Sequence, residues 1–304
     1  MAEPRGAIAG VRLVGSWAAR GWRFNVRWPV LPTLILVGLV LIAILAPWIA
    51  PYHPLKIDLA AKNAPPFWDT SWYAQNPGTS MHILGADYVG RDILSRIMFG
   101  ARISLTVSGI AILAGMLVGS ALGLIAGYYG GLVDEIITRF VDIWLALPFI
   151  LVAMVAAIVF GATTKVVMGV LAVLAWSVFV RNVRAEVLSL KTRDYVALAK
   201  VAGAQTNRIM MRHILPGVIN TIVVIATLRV GQLIIAEATL SYLGAGIPSP
   251  TPAWGLMVSE ARDYLSTAWW TSFFPGLAIL LLVMALNFIG DWYRDKMDPR
   301  LRQL

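Results

Sequence analysis

Residues 194–216 read DYVALAKVAGAQTNRIMMRHILP, a moderately polar stretch set between two long apolar runs. Tyr195, Leu198, Val201 and Ala202 recur at helical spacing and give a first short helix one apolar face. Ala197, Ala199 and Ala202 keep that helix slim enough for another surface to approach closely. Gly203 adopts a left-handed conformation without steric cost, so the helix is expected to stop there. Thr206 or Asn207 is placed to cap a second helix, whose apolar face is Ile209, Met210, His213 and Ile214. Pro216 marks the entry to the next apolar run. The reading is a pair of amphipathic helices hinged at Gly203, a shape suited to docking on a soluble partner. Periodicity alone equally allows a segment that rests on lipid headgroups, held by its Arg and Lys.

The surroundings decide the class. The 304-residue chain is 59% hydrophobic and only 13% charged, against about 25% charged in soluble domains. Several continuous apolar runs of about 20 residues each predict a polytopic helical membrane protein, and their lack of alternation disfavours a β-barrel. The expected spans are Val30–Ala50, Ile103–Tyr128, Ile136–Phe160, Val166–Val183, Val218–Tyr242 and Trp270–Trp292. The first run is too long and too far from Met1 for a cleaved signal, so it reads as a retained span. The organisation is then an N-terminal segment (1–29), a first span (30–50) and an outer loop (51–102). A core of five spans follows (103–292), with a central loop at 184–216 and a second outer loop at 244–269, and the chain closes with a basic tail (293–304).

The net charge is +9, and its placement predicts orientation. Arg5, Arg12, Arg20, Arg23 and Arg27 precede the first span. Arg181, Arg184, Lys191, Arg193, Lys200, Arg208 and Arg212 crowd the central loop, and Arg294, Lys296, Arg300 and Arg302 fill the tail. The positive-inside rule puts these three segments, and both termini, in the cytoplasm. Trp48, Trp269, Trp270 and Trp292 sit near span ends, as an interfacial aromatic belt requires. Ala114, Gly115, Gly119, Ser120, Gly123 and Gly127 in the second span permit close helix packing in lipid.

Several chemistries are excluded. With no Cys there are no disulfides, thiolate metal sites or cysteine nucleophiles. His53, His82 and His213 lack ligand spacing, so no metal site is expected. No G-x-x-x-x-G-K-[ST] loop, H-E-x-x-H or Ser/His/Asp arrangement appears. The chain is therefore read as non-catalytic and as binding no cofactor itself. No basic stripe interleaved with aromatics suggests nucleic-acid binding.

Gly203, a nine-residue spacer and His213-Ile214-Leu215-Pro216 resemble the signature loop of ABC importer permeases, EAA, three residues, Gly, nine residues, Ile, any, Leu, Pro. Here the EAA positions read Ala197-Leu198-Ala199, and His213 stands for the Ile. Asp194-Tyr195-Val196 and Gly203-Ala204 are similar to the dipeptide/oligopeptide branch. A second string, His82-Ile83-Leu84-Gly85-Ala86-Asp87, Gly90-Arg91-Asp92-Ile93-Leu94-Ser95-Arg96 and Gly100-Ala101-Arg102-Ile103-Ser104-Leu105, resembles the HxLGTDxxGRDxLSRxxxGARxSL signature of the subunit with the shorter outer loop, with Ala86 in place of Thr. Leu240-Ser241-Tyr242-Leu243-Gly244 with Pro248 and Pro252-Ala253-Trp254-Gly255 resemble its fifth-span exit.

The resemblance implies an all-α integral membrane chain of six transmembrane helices, with the type I ABC importer permease fold and cytoplasmic coupling helices. It implies residence in a bacterial or archaeal cell membrane. The implied partners are a homologous permease subunit, two ATPase subunits that bind ATP and Mg, and an extracytoplasmic solute-binding protein. In that reading Asp194, Tyr195, Ala197, Ala199, Lys200, Gly203, Ala204, Arg208, His213 and Pro216 form the ATPase-coupling region. The implied cargo is a dipeptide or oligopeptide. Nickel chelates, opines and oligosaccharides are alternatives, and an ATP-independent secondary transporter is a remote one that the absence of inverted repeats weakens.

Charges inside apolar runs are costly and face protein or water. Asp142, Arg229 and Glu237 are candidates for the translocation path or for pairing with the second subunit. Arg139 and Asp142, three apart, are expected to pair along one helix. Asp87, Arg91 and Asp92 are candidate docking residues for the binding protein, or hold the outer loop's own fold. Trp68, Trp72 and Tyr73 suit docking or anchoring at the membrane interface.

Overall fold

The computed structural model describes residues 29–76 and 79–297. The proposed N-terminal segment, with its five arginines, and Arg300 and Arg302 of the tail lie outside the described residues. Among the described residues regular structure is helical: α1 (Val30–Ile49), α2 (Thr70–Gln75), α3 (Ile93–Tyr129), α4 (Gly131–Ala146), α5 (Phe149–Phe160), α6 (Thr164–Lys191), α7 (Asp194–Val201), α8 (Thr206–Ile209), α9 (Leu215–Tyr242), α10 (Trp254–Ala261) and α11 (Trp270–Met297). Five helices are long and apolar enough to cross a membrane, and a bent pair supplies a sixth crossing if it acts as one span.

That pair corrects the expected third span. Residues 136–160 are not one helix: α4 and α5 meet at 85°. Pro148 lacks an amide hydrogen and forces its predecessor out of the helical region, and Leu147 is extended at ψ 131°. Other spans are longer than hydropathy suggested. α3 begins ten residues before Ile103 because Asp92 caps it, accepting from the Ser95 amide at 2.7 Å. α6 runs on to Lys191.

The packing centre is the α3–α6 pair. Gly115, Gly119, Gly123 and Gly127 recur every fourth residue on α3 and all face α6. A Cβ on Gly115 would lie 2.5 Å from the Ala175 Cβ, one on Gly123 2.7 Å from the Val180 carbonyl, and one on Gly127 2.8 Å from the Val187 Cβ; one on Gly119 would collide with the Trp176 carbonyl. Lipid supplies no hydrophobic driving force between helices, so such close backbone approach is what binds them. The expected small-residue seam is present and has its partner. Around it, Val107, Ala111, Leu171, Phe179, Leu233 and Leu240 bring α9 against the pair. A second cluster joins α1, α3, α9, α10 and α11 through Ala43, Ile93, Ile234, Trp254 and Leu282.

The second outer loop carries a helix of its own. Within it α10 is tucked between spans: Trp254 is fully buried and its indole donates to the Ile97 carbonyl at 3.0 Å. Gly100 leaves room for that indole, since a Cβ there would lie 2.7 Å from Trp254 Cδ1.

Candidate coupling and translocation site

α7 begins directly after α6, with Asp194 in its first turn, where a carboxylate complements the positive helix end. It ends in a Schellman motif. Gly203 takes φ +76°, its amide donates to the Lys200 carbonyl at 3.0 Å, and the Ala204 amide donates to the Ala199 carbonyl at 3.0 Å. Ala199 and Ala204 then pack on the same apolar cluster, the contact this motif favours. The second helix is not capped by Thr206 or Asn207, as expected from sequence. Gln205 occupies the N-cap position without a side-chain bond, because the chain leaves the Gly203 turn one residue earlier.

The second helix runs on past Pro216 into the next span. α8 passes through a π-turn at Met210–Ile214 into α9, so one helical rod runs from Thr206 to Tyr242. Pro216 removes an amide donor and crowds the preceding turn; the wider π-turn takes up that misfit. The Leu215 amide accordingly donates to the Met210 carbonyl, five residues back.

Facing is the informative feature. Val196, Ile209, Met210, Ile214 and Val218 are buried with Leu124 of α3 and Val183 and Val187 of α6. Tyr195, Leu198 and Val201 point outward, 44%, 67% and 87% exposed. The pair is thus fixed to the spans by one face and presents a second apolar face that no described residue covers. Ala197, Lys200, Gly203 and Arg208 are also exposed. His213 is half-buried, with Nδ1 3.4 Å from the Arg208 carbonyl. Basic groups brace this end. Lys191 Nζ donates to the Tyr128 carbonyl at the end of α3, and the Lys191 and Lys200 ammoniums lie 5.6 and 5.9 Å from the Tyr128 ring centre. Arg184 forks onto Asp134 of α4, with Nη2 2.5 Å from Oδ2.

The intramembrane charges fall into three settings. Asp142 pairs with Arg181 across to α6 at 2.6 Å, both exposed. It does not pair with Arg139, which reaches back to Glu135 at 3.7 Å, one turn away. Glu237 is 1% exposed and accepts from Ser241 Oγ at 2.7 Å, so it faces the chain's own packing and not an open path. Arg229 is half-buried and donates to Gln232 Oε1. The two do not share a face: eight residues at 100° each separate them by about 80°.

At the opposite end, Asp87, Arg91 and Asp92 are 4%, 4% and 2% exposed, which favours the reading in which they hold the outer loop's own fold over the one in which they dock a partner. Their side chains are consumed internally. Asp87 Oδ2 accepts from Arg91 Nε at 2.6 Å and from Arg96 Nη1 at 2.5 Å, while Glu260 Oε2 accepts from both arginines at 2.9 Å. Two cations and two carboxylates thus close a buried quartet joining the outer loop, α3 and α10. Burial pulls the Arg91 guanidinium down, but the Asp87 and Glu260 carboxylates outweigh it and hold its pKa above the ordinary arginine value. Asp92 also accepts from Ser95 Oγ at 2.7 Å and sits 2.9 Å from His82 Nδ1. Gly90, at φ +82°, abuts the Asp58 carbonyl too closely for any Cβ. Trp72 and Tyr73 pack on Ala61, Ala64 and Ala86, and Tyr73 donates to the Pro65 carbonyl at 2.8 Å. Trp68 remains half-exposed, edge-on to Phe274 of α11 at 6.2 Å.

Sequence reasoning missed Arg96 and Glu260 as partners. The available signal was charge balance: buried arginines require buried acids, and Asp87 alone cannot neutralise two. No group of metal-ligating residues occurs among the described residues.

A multi-span helical bundle with an outward-facing surface helix pair continuous with one span has the architecture of a membrane transport subunit. The chain belongs to the family described as binding-protein-dependent transport system inner membrane component, which matches residues 119–303, and residues 31–66 match the N-terminal TM domain of oligopeptide transport permease C. It is thus an ABC importer permease of the dipeptide/oligopeptide branch. It is 46% identical over 271 residues to the dipeptide transport system permease protein DppC of Escherichia coli K12, covering 89% of this chain and 88% of that one. It is 42% identical over 274 residues to DppC of Haemophilus influenzae, covering 88% and 91%. It is 40% identical over 269 residues to the glutathione transport system permease protein GsiD of Pectobacterium atrosepticum, covering 88% and 86%. Among solved structures, the inward-facing MetNI methionine ABC transporter shares the fold, with TM-score 0.57 at 18% identity over 68% of this chain and 98% of that one.

Proposed function

We propose that this chain is the permease subunit of an ATP-driven importer of dipeptides or short oligopeptides, coupled to its ATPases through residues 194–213. The observation that carries the coupling is the outward apolar face of Tyr195, Leu198 and Val201 on a helix pair continuous with α9. An energy-transducing contact must differ between two states of the machine, and a rigid element with an unfilled apolar face supports such a contact. Asp194, Ala197, Ala199, Lys200, Gly203, Ala204, Arg208, His213 and Pro216 shape or flank that surface.

The cargo is proposed from the dipeptide permeases to which the chain is similar. A homologous permease completes the path, two ATPase subunits bind ATP and Mg below, and a solute-binding protein delivers cargo from outside. The basic loop and tail support the cytoplasmic side for residues 184–216 and for both termini. Arg229 and the Asp142–Arg181 pair are proposed to line the path or the seam with the second permease.

The test is mild affinity purification from native membranes, with mass spectrometry of bound chains, ATPase assay and uptake of labelled dipeptides. Co-purification of ATPase chains and a second permease, with ATP-dependent uptake abolished by Leu198→Glu, is the expected result. Recovery of this chain without ATPases, or uptake that persists without ATP, overturns the reading.

A further inference from the structure

Arg229 lies 14 residues from Leu215 and 13 from Tyr242, the ends of α9. At 1.5 Å per residue it stands about 20 Å from either end, near the middle of an apolar span. Its guanidinium cannot lose its proton at any working pH, so a cation is fixed at mid-depth. Three other arginines on or beside the spans are matched: Arg139 with Glu135, Arg181 with Asp142 and Arg184 with Asp134. Arg229 is not. Its bond is to the neutral Gln232 through Nη1, which leaves Nε and Nη2 with donors to spare, and no carboxylate among the described residues pairs with it.

The helix around it is sided. At 100° per residue, Thr221, Gln232 and Thr239 fall within about 20° of one another, and Arg229 lies about 60–80° round from them. All four are half-buried or exposed. The buried residues Leu240, Leu233, Glu237, Ser241 and Ile234 run from about 100° to 220° round from Thr221. The polar line is therefore on the more open side of α9, and Arg229, itself half-buried, stands at the boundary between that side and the packed one.

We propose that Arg229 receives the C-terminal carboxylate of the peptide during its passage. This rests on the peptide-importer reading above. A guanidinium fork binds a carboxylate through two parallel N–H donors, and every linear peptide carries one α-carboxylate whatever its side chains. Gln232 holds one Nη1 donor and thereby orients the fork. Recognition of this kind is indifferent to peptide sequence.

The subunit has no Cys, so Arg229→Cys in the assembled transporter adds one thiol, with the parent complex as background. The expected result is labelling by a water-soluble cationic methanethiosulfonate in at least one nucleotide state. In the parent, a transported dipeptide should compete for uptake at least about fivefold better than its C-terminal amide, and in Arg229→Gln that preference should collapse. Arg229→Lys, which keeps the charge but not the two-donor fork, should lower dipeptide uptake measurably, and Arg229→Gln should lower it further, at least about tenfold, with assembly and basal ATPase unchanged. A thiol that no water-soluble reagent reaches in any nucleotide state overturns the proposal, as does an undiminished preference for the free carboxylate in Arg229→Gln. Loss of assembly in Arg229→Gln, with Arg229→Lys normal, overturns it in favour of a carboxylate on the second permease. If the parent complex takes up no peptide, the underlying reading fails; if it does and Arg229→Gln is unimpaired, only this inference fails.

Discussion

Arg96 Nη2 donates to Glu260 Oε2 across 2.9 Å although the two residues are 164 positions apart. The bond locks the start of α3 to α10 and closes the quartet with Asp87 and Arg91. Glu260→Ala leaves two buried guanidiniums with one carboxylate between them, and breaking a buried pair from one side costs about 3–5 kcal/mol. The variant should melt well below the parent in detergent and be cleaved by protease at 51–92. Unchanged thermal stability would show that the quartet is not what holds this end together.

Gly119→Val tests the α3–α6 seam. Its Cβ meets the Trp176 carbonyl, which is backbone and cannot rotate away. Overpacking of this sort costs about 1–3 kcal/mol, and separating the helices also loses contact at Gly115 and Gly123. Reduced yield of monodisperse protein is expected, whereas Gly109→Val, where nothing lies within 4 Å, should be tolerated.

Leu198→Glu and Val196→Glu, two residues apart on α7, should fail differently. Leu198 is 67% exposed and Val196 fully buried. The Leu198 variant should fold with stability within about 0.5 kcal/mol of the parent, yet lose ATPase association by about tenfold or more. The Val196 variant buries a charge and should destabilise the 194–218 cluster by several kcal/mol. A melting curve beside a pull-down separates the two.

Gly203→Ala meets no atom within 4 Å, so its cost is conformational alone. Holding a Cβ residue at φ +76° costs about 1–2 kcal/mol. Moderately weakened coupling is expected, read as fewer peptides imported per ATP hydrolysed, with basal hydrolysis retained. Gly203→Pro should abolish coupled uptake while the chain still inserts, because it removes the amide that closes on Lys200.

The helix pair and its hinge were legible in sequence because both depend on local rules: helical spacing and one glycine. The glycine seam was legible for the same reason, as a period of four. The outward apolar face of α7, Tyr195, Leu198 and Val201, was legible from the same spacing; the burial of Val196 was not, since only the tertiary packing of Ile209 and Ile214 sets it apart from Leu198. The break at Pro148 carried a sequence signal that continuous hydropathy overrode. The quartet escaped because Glu260 is far from Arg91 and Arg96 in the chain, and the spacing rules used for helices do not reach across folds. Glu237 and Arg229 looked alike as charges in an apolar run; only burial separates the one bonded to Ser241 from the one left on an open side.

The π-turn at Met210–Ile214 has a mechanical consequence. By widening one turn instead of breaking the helix, it preserves a single shaft of 37 residues, about 55 Å long at 1.5 Å per residue. A shaft of that length works as a gear: a tilt of about 10° imposed where Thr206 sits displaces the far end by roughly 10 Å, comparable to a helix diameter. A proline that would otherwise divide the segment is absorbed, and small movements at one surface of the membrane arrive magnified at the other.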